Sequence, residues 1–202
     1  VGGTKVFRDL AAGLSSRGIV VLRYEKRTTA HAQEAAKETT FTFRDDTIDD
    51  ARLAIAMLRK LPVVDKTKVF VIGHGEGGRL APELAKEDPT LAGLVIAAAS
   101  VKSVTSGLPP SYAKSLRKYR AEEAARKTKM PVLVVTGDRD SECTATDFRK
   151  WKSTLKASPH AETKLLPGLN HLFVSGSGRD DNGRPANVAP ELVDAIARFI
   201  TR

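Results

Sequence analysis

The sequence predicts an α/β chain, built as a three-layer sandwich around a mostly parallel sheet. Three observations carry that expectation. Of five short β-rich runs, most are apolar on consecutive residues rather than alternate ones, the pattern of strands covered on both faces. Segments of helical periodicity separate them, and alternation repeated this often implies right-handed βαβ crossovers. The 202 residues are 41% apolar and 28% charged, enough to bury a sizeable core and to exclude disorder. The length suits a single domain over residues 1–202.

Each element has its own reason. In the first helix, Phe7, Leu10, Ala11 and Leu14 share one face, and Gly18 closes it as a C-terminal cap. A strand over 18–24 follows, then a helix over about 46–61 with Asp45, Asp46, Asp49 and Asp50 at its positive end. Residues 68–72 and 91–97 form the next two strands, joined by a helix over 79–86. Residues 100–111 are rich in Ser, Gly and Pro and lead into a basic helical segment, so 100–128 reads as a short cap-like insertion above the sheet. Strands over 131–136 and 163–166 then alternate with helices over 147–156 and 190–200.

The net charge of +9 comes from 33 basic and 24 acidic residues. Residues 101–130 alone hold 8 basic and 2 acidic ones, either a solvated helix face or a basic surface that steers anions. There is no aromatic interleaving of the kind that stacks bases and no nucleic-acid-binding signature, so nucleic acid is not an expected partner. The lone Cys143 excludes a disulfide scaffold and a multi-cysteine zinc site. Nothing in the spacing of residues calls for a metal or a cofactor. No apolar run approaches the ~18 residues of a membrane-spanning helix, and Val1-Gly2-Gly3-Thr4-Lys5 lacks signal-peptide architecture.

Ligands of open parallel sheets bind beyond the carboxyl ends of the strands, which makes the residues there the most informative. Gly73-His74-Gly75-Glu76-Gly77-Gly78 follows the second run and precedes a helix. A strand, a sharp Gly-flanked turn and a helix form the context of the G-x-S-x-G nucleophile elbow, but its middle residue is Gly75 rather than Ser. Small residues at Gly73 and Gly77 would let strand and helix pack closely. Gly137-Asp138-Arg139-Asp140 follows the fourth run, and Pro167-Gly168-Leu169-Asn170-His171 the fifth.

With these motifs, and with Phe7-Arg8-Asp9-Leu10-Ala11 and Arg23-Tyr24-Glu25-Lys26-Arg27, the chain resembles bacterial α/β-hydrolases of the carboxylesterase and dienelactone-hydrolase-like group. The resemblance runs from about residue 5 to 200, in the family's order of elbow, acid and His. It implies an α/β-hydrolase fold lacking its first strands, and hydrolysis of small carboxylic esters by a Ser-His-Asp type mechanism. It also implies Gly75 at the nucleophile position, His171 as general base and Asp140 as the carboxylate that orients it. Asp138 competes with Asp140, with turn capping as its other reading. The Glu76 backbone N–H would serve the oxyanion, with Gly3 as a remnant of the loop giving the second donor. His74 and Tyr24 would line the substrate pocket. Arg23 and Arg27 would touch a substrate carboxylate or form structural ion pairs, while His31 and His160 are surface residues.

With Gly75 in place the expected activity is absent or low. A binding protein without catalysis is the alternative, and a serine peptidase of the prolyl-oligopeptidase type a more distant one. Missing early strands would leave a sheet edge beside the strand over 18–24 or its neighbour, open to pairing with another copy of the chain.

Overall fold

The computed structural model describes residues 4–35, 37–175 and 186–202. Its sheet has four parallel strands, β1 (Phe70–His74), β2 (Gly93–Ala97), β3 (Val132–Gly137) and β4 (Ala161–Leu166), lying side by side in chain order. The register pairs Phe70 with Gly93, Leu94 with Val132 and Val132 with Ala161. Central strands β2 and β3 are buried throughout, as their unbroken apolar runs require.

Alternation along these strands feeds two cores. Leu94, Ile96, Val132 and Val134 pack with Ile48, Leu80, Leu84 and Trp151 on one face. Val95, Leu133 and Val135 pack with Leu10, Leu14, Leu192 and Ile196 on the other. On the first face lie α4 (Asp50–Leu58), α5 (Glu76–Glu87) and α8 (Ala145–Thr154); α1 (Val6–Ser15) and α9 (Pro190–Ile200) cover the second. Short helices α2 (Arg27–Ala30) and α3 (Ala32–Ala35) precede β1, while α6 (Pro110–Lys118) and α7 (Ala121–Arg126) fall within the β2–β3 connection.

Local chemistry sets the helix ends. Gly18, at φ +78°, ends α1 in a Schellman turn, with the Gly18 N–H on Ser15 O and the Ile19 N–H on Leu14 O at 3.2 Å. Thr144 and Asp147 form a capping box on α8. The helix expected over 46–61 divides into a π-helical turn, Arg44–Asp49, and α4.

Residues 18–24 do not form the expected strand. Among the described residues, the backbone from Val20 to Tyr24 makes no hydrogen bond to another element. A cleft of about 450 Å³ separates this segment from β1, lined by Leu10, Leu14, Ile19, Val21, Phe70 and Ile72. Strand geometry needs a neighbour to complete the ladder, and among the described residues no strand pairs with this run. Among the described residues the outer edge of β1 has no strand partner.

Candidate active site

The loops after β1, β3 and β4 meet at one end of the sheet. Gly75 turns the chain from β1 into α5 at φ +57° and ψ −124°. Its N–H donates to Ala97 O at 2.9 Å and its carbonyl accepts from the Arg79 N–H at 3.1 Å, so the bend is fixed on both sides. A Cβ on Gly73 would stand 2.4 Å from Gly77 O, and one on Gly78 would stand 2.8 Å from Gly73 O. The close approach therefore needs glycine at Gly73 and Gly78. At Gly77, expected to serve this purpose, a Cβ would meet nothing within 4 Å among the described residues.

Asp140 and His171 are brought together. Asp140 is buried, and its two carboxylate oxygens lie 3.1 and 3.0 Å from His171 Nδ1. Oδ1 also accepts the Glu142 and Cys143 N–H groups, both at 2.8 Å, which holds the carboxylate still. Asp138 takes its other reading: its Oδ1 accepts from the Gly168 N–H at 2.7 Å and ties the β3 turn to the β4 turn. That junction is tight, since a Cβ on Gly137 would lie 2.1 Å from Leu169 O.

The far nitrogen of His171 faces the elbow. A Cβ on Gly75 would stand 3.7 Å from His171 Nε2, ordinary van der Waals contact. Glu142 Oε2 lies 3.6 Å from the same nitrogen. Glu76 begins α5, so its N–H belongs to the first turn, where no intrahelical acceptor exists. Its side chain joins two segments: Oε1 accepts from Arg79 Nε at 2.9 Å and Oε2 from Ser103 Oγ at 3.0 Å.

A cavity of about 540 Å³ opens over this end of the sheet, with Gly75, Glu76, Ala98 and His171 at its base. Phe41, Val104, Leu108 and Leu116 supply apolar wall. Lys26, Asp46 and Tyr112 make a polar corner, where Asp46 Oδ2 accepts from Lys26 Nζ at 2.6 Å and from the Tyr112 hydroxyl at 2.9 Å. These bonds, together with one from the Thr28 N–H, outweigh burial and hold the Asp46 carboxyl below its usual range.

Two expected pocket residues lie elsewhere. The His74 ring is enclosed by Phe7, Phe173 and His171, with its Nε2–H donating to His171 O at 2.8 Å. It supports the His171 loop and is absent from the cavity wall, because the pleat turns it away. Burial, with the neighbouring His171 second, lowers its pKa to about 4. Tyr24 lines a separate surface groove with Arg23, Arg27 and His31. Arg27 is ion-paired with Asp50, and His31 and His160 are exposed. Gly3 lies outside the described residues.

Sequence reasoning passed over Asn170, whose side chain is wholly buried and builds the His171 turn. Its Oδ1 accepts the Leu172 and Val174 N–H groups at 3.0 and 3.2 Å. An Asn in a Pro-Gly-x-Asn run was the available signal.

Parallel strands, a positive-φ bend leading into a helix, and a carboxylate–imidazole pair drawn from the next loops define the class of α/β-hydrolase folds. Solved structures share the architecture. One described under LipS and LipT, metagenome-derived lipolytic enzymes, superposes with a TM-score of 0.68 at 20% identity, covering 96% of this chain and 87% of that one. The esterase domain of a Rhodothermus marinus protein gives 0.62 at 17% identity, covering 96% and 81%.

Over residues 4–196 the sequence matches the dienelactone hydrolase family, and the chain belongs to it. Esterase EstD of Thermotoga maritima is 28% identical to it; the match takes in the whole of this chain, which spans 58% of that curated relative. Among the described residues, no helix is long and apolar enough to cross a membrane.

Proposed function

We propose that the chain hydrolyses carboxylic esters of small molecules at the cavity over Gly75. It would do so with a Ser-His-Asp type site that lacks its hydroxyl, and with low turnover for that reason. One observation carries the reading: the buried Asp140 holds His171 by Nδ1, and His171 Nε2 faces a positive-φ elbow, 3.7 Å from where a side chain would begin. Membership of the dienelactone hydrolase family and likeness to an esterase support it.

In this reading His171 moves protons, Asp140 holds its tautomer and offsets the imidazolium charge, and the Glu76 N–H steadies the developing oxyanion. Residues 100–128 act as a short cap, with Leu108, Tyr112 and Leu116 facing the bound ester.

Replacing Gly75 tests the proposal. Glycine removes only the reacting atom, so Gly75→Ser should raise hydrolysis of p-nitrophenyl butyrate by ~10² or more, below the ~10⁶ that a complete triad supplies. A folded Gly75→Ser protein with an unchanged rate would count against the assignment. A non-catalytic binding role is the second reading, favoured by a formed cavity beside a glycine at the nucleophile position. A thermal-shift screen of small carboxylic acids and esters separates the two, since tight binding without turnover in Gly75→Ser supports only the latter.

A further inference from the structure

We propose that the connection after β2 docks on an anionic lipid surface, with Val104 and Leu108 entering the lipid and basic side chains lying against its headgroups. The docking stands on the structure by itself; its purpose, delivery of a lipid-borne ester to the cavity, rests on the ester-hydrolase reading above. Val104 is 76% exposed and Leu108 37%, although both belong to the apolar wall of the cavity. The segment that carries them is pinned in place. Ser103 Oγ donates to Glu76 Oε2 at 3.0 Å, Arg117 Nη1 to Thr105 Oγ1 at 3.3 Å, and Ser111 Oγ to Phe41 O at 2.7 Å. Apolar side chains fixed at a cavity mouth and left in water mark an interaction surface.

The charge around them has no internal partner. Residues 101–130 hold 8 basic residues, all exposed. Among the described residues none of these forms an ion pair, whereas Arg44, Arg59 and Arg79 outside the stretch are paired with Glu87, Asp88 and Glu76. On α6 the buried side is Tyr112, Ala113 and Leu116, while Lys114, Arg117 and Lys118, spaced i, i+3 and i+4, share the other. The Arg117 bond to Thr105 sets that cationic side beside Val104. Lys102, just before Val104 in the chain, stands on the cavity wall. Crowded like charges of this kind are relieved by an anionic partner.

An anionic lipid surface meets both halves of the pattern. Its phosphates attract clustered Lys and Arg within a Debye length, and beneath them lies an apolar layer for Val104 and Leu108. Duplex nucleic acid would satisfy the cations but offer Val104 no such layer. Docked in this way the cavity mouth faces the lipid, and an ester dissolved there reaches the wall of Phe41, Leu108 and Leu116 without crossing water.

Co-sedimentation with phosphatidylcholine vesicles, alone or mixed with phosphatidylglycerol, tests the docking. The unaltered chain should bind the mixed vesicles, leave the neutral ones, and bind less tightly as salt rises. At about fivefold per cation, the triple variant Lys114→Gln, Arg117→Gln, Lys118→Gln should lose on the order of 10²-fold in affinity. Val104→Ser should lose ~10-fold. A control triple, Lys60→Gln, Lys66→Gln, Lys68→Gln, removes the same charge from exposed sites before β1, away from the cavity, and should keep most of the affinity. The docking is overturned if mixed vesicles are not bound, if the two triples lose equally, if Val104→Ser binds as before, or if duplex DNA is bound as tightly as lipid. All these positions are exposed, so circular dichroism should show each variant folded. Soluble p-nitrophenyl butyrate separates the two readings. An active Gly75→Ser protein that ignores vesicles removes the docking alone, and a folded, inactive one that binds them removes the ester-hydrolase reading alone.

Discussion

Acid should loosen this fold through His74 before it does so through the carboxylates. The ring pKa falls from 6.5 to about 4 because it is buried against Phe7, Phe173 and His171. A folded-state pKa below the unfolded one means stability fully present above pH 6.5 and lost as pH falls toward 4. At 1.36 kcal/mol per unit the shift is worth about 3 kcal/mol, an upper figure because the residue keeps part of its surface in solvent. For a chain of this size the loss corresponds to roughly 6–12 °C in Tm. Asp45, Asp46, Asp88 and Asp147 have lowered pKa values, so their contributions fade only below the range in which His74 titrates. Trp151, the single tryptophan and wholly buried, reports unfolding in urea. Melts of the unaltered protein and of His74→Gln between pH 7.5 and 4.5 isolate the contribution of the His74 ring. A flatter pH dependence in His74→Gln is the expected result, and parallel curves would refute the reasoning.

Gly73→Ala should cost about 3 kcal/mol or more by thermal melt, since its Cβ meets the Gly77 carbonyl. Gly77→Ala should instead stabilise α5 by ~0.5–1 kcal/mol, and equal effects at the two positions would contradict the packing described. Asp138→Ala should lose ~1 kcal/mol with its Gly168 bond and keep activity. Asp140→Asn, in the Gly75→Ser background, should lower ester hydrolysis by roughly 10²–10⁴; the reverse ranking would reassign the acid. Light scattering at rising concentration should show association through the unpaired edge of β1, and a monomer throughout would exclude it.

What could be read from residues alone divides along physical lines. Runs such as 93–97 and 132–137 are apolar on both faces, and only a covered parallel strand uses them so; these strands were legible. The run at 18–24 is just as apolar, yet a strand also needs a partner, and pairing is not written in local pattern. Likewise the meeting of Asp140 with His171 was legible from their places after strands, whereas the positions of the His74 and Tyr24 side chains were not. The direction of a side chain depends on the pleat and on the path of the following loop, and neither shows in residue type. Gly77 and Gly78 make the same point: two adjacent glycines look alike, and only the distance to Gly73 tells them apart.

The wall of the 540 Å³ cavity divides labour between separate stretches of chain. Gly75, Glu76 and His171 come from the bend after β1, the start of α5 and the loop after β4, while Thr28, Ala32, Ala35 and Phe41 come from short helices and loops before β1. Val104, Leu108 and Pro109 come from the connection after β2. Substitutions in those outlying stretches can reshape the volume offered to an acyl or alcohol group while the proton-handling pair stays put. Evolution, or a library confined to these positions, can therefore explore which molecules enter without disturbing what happens to them inside.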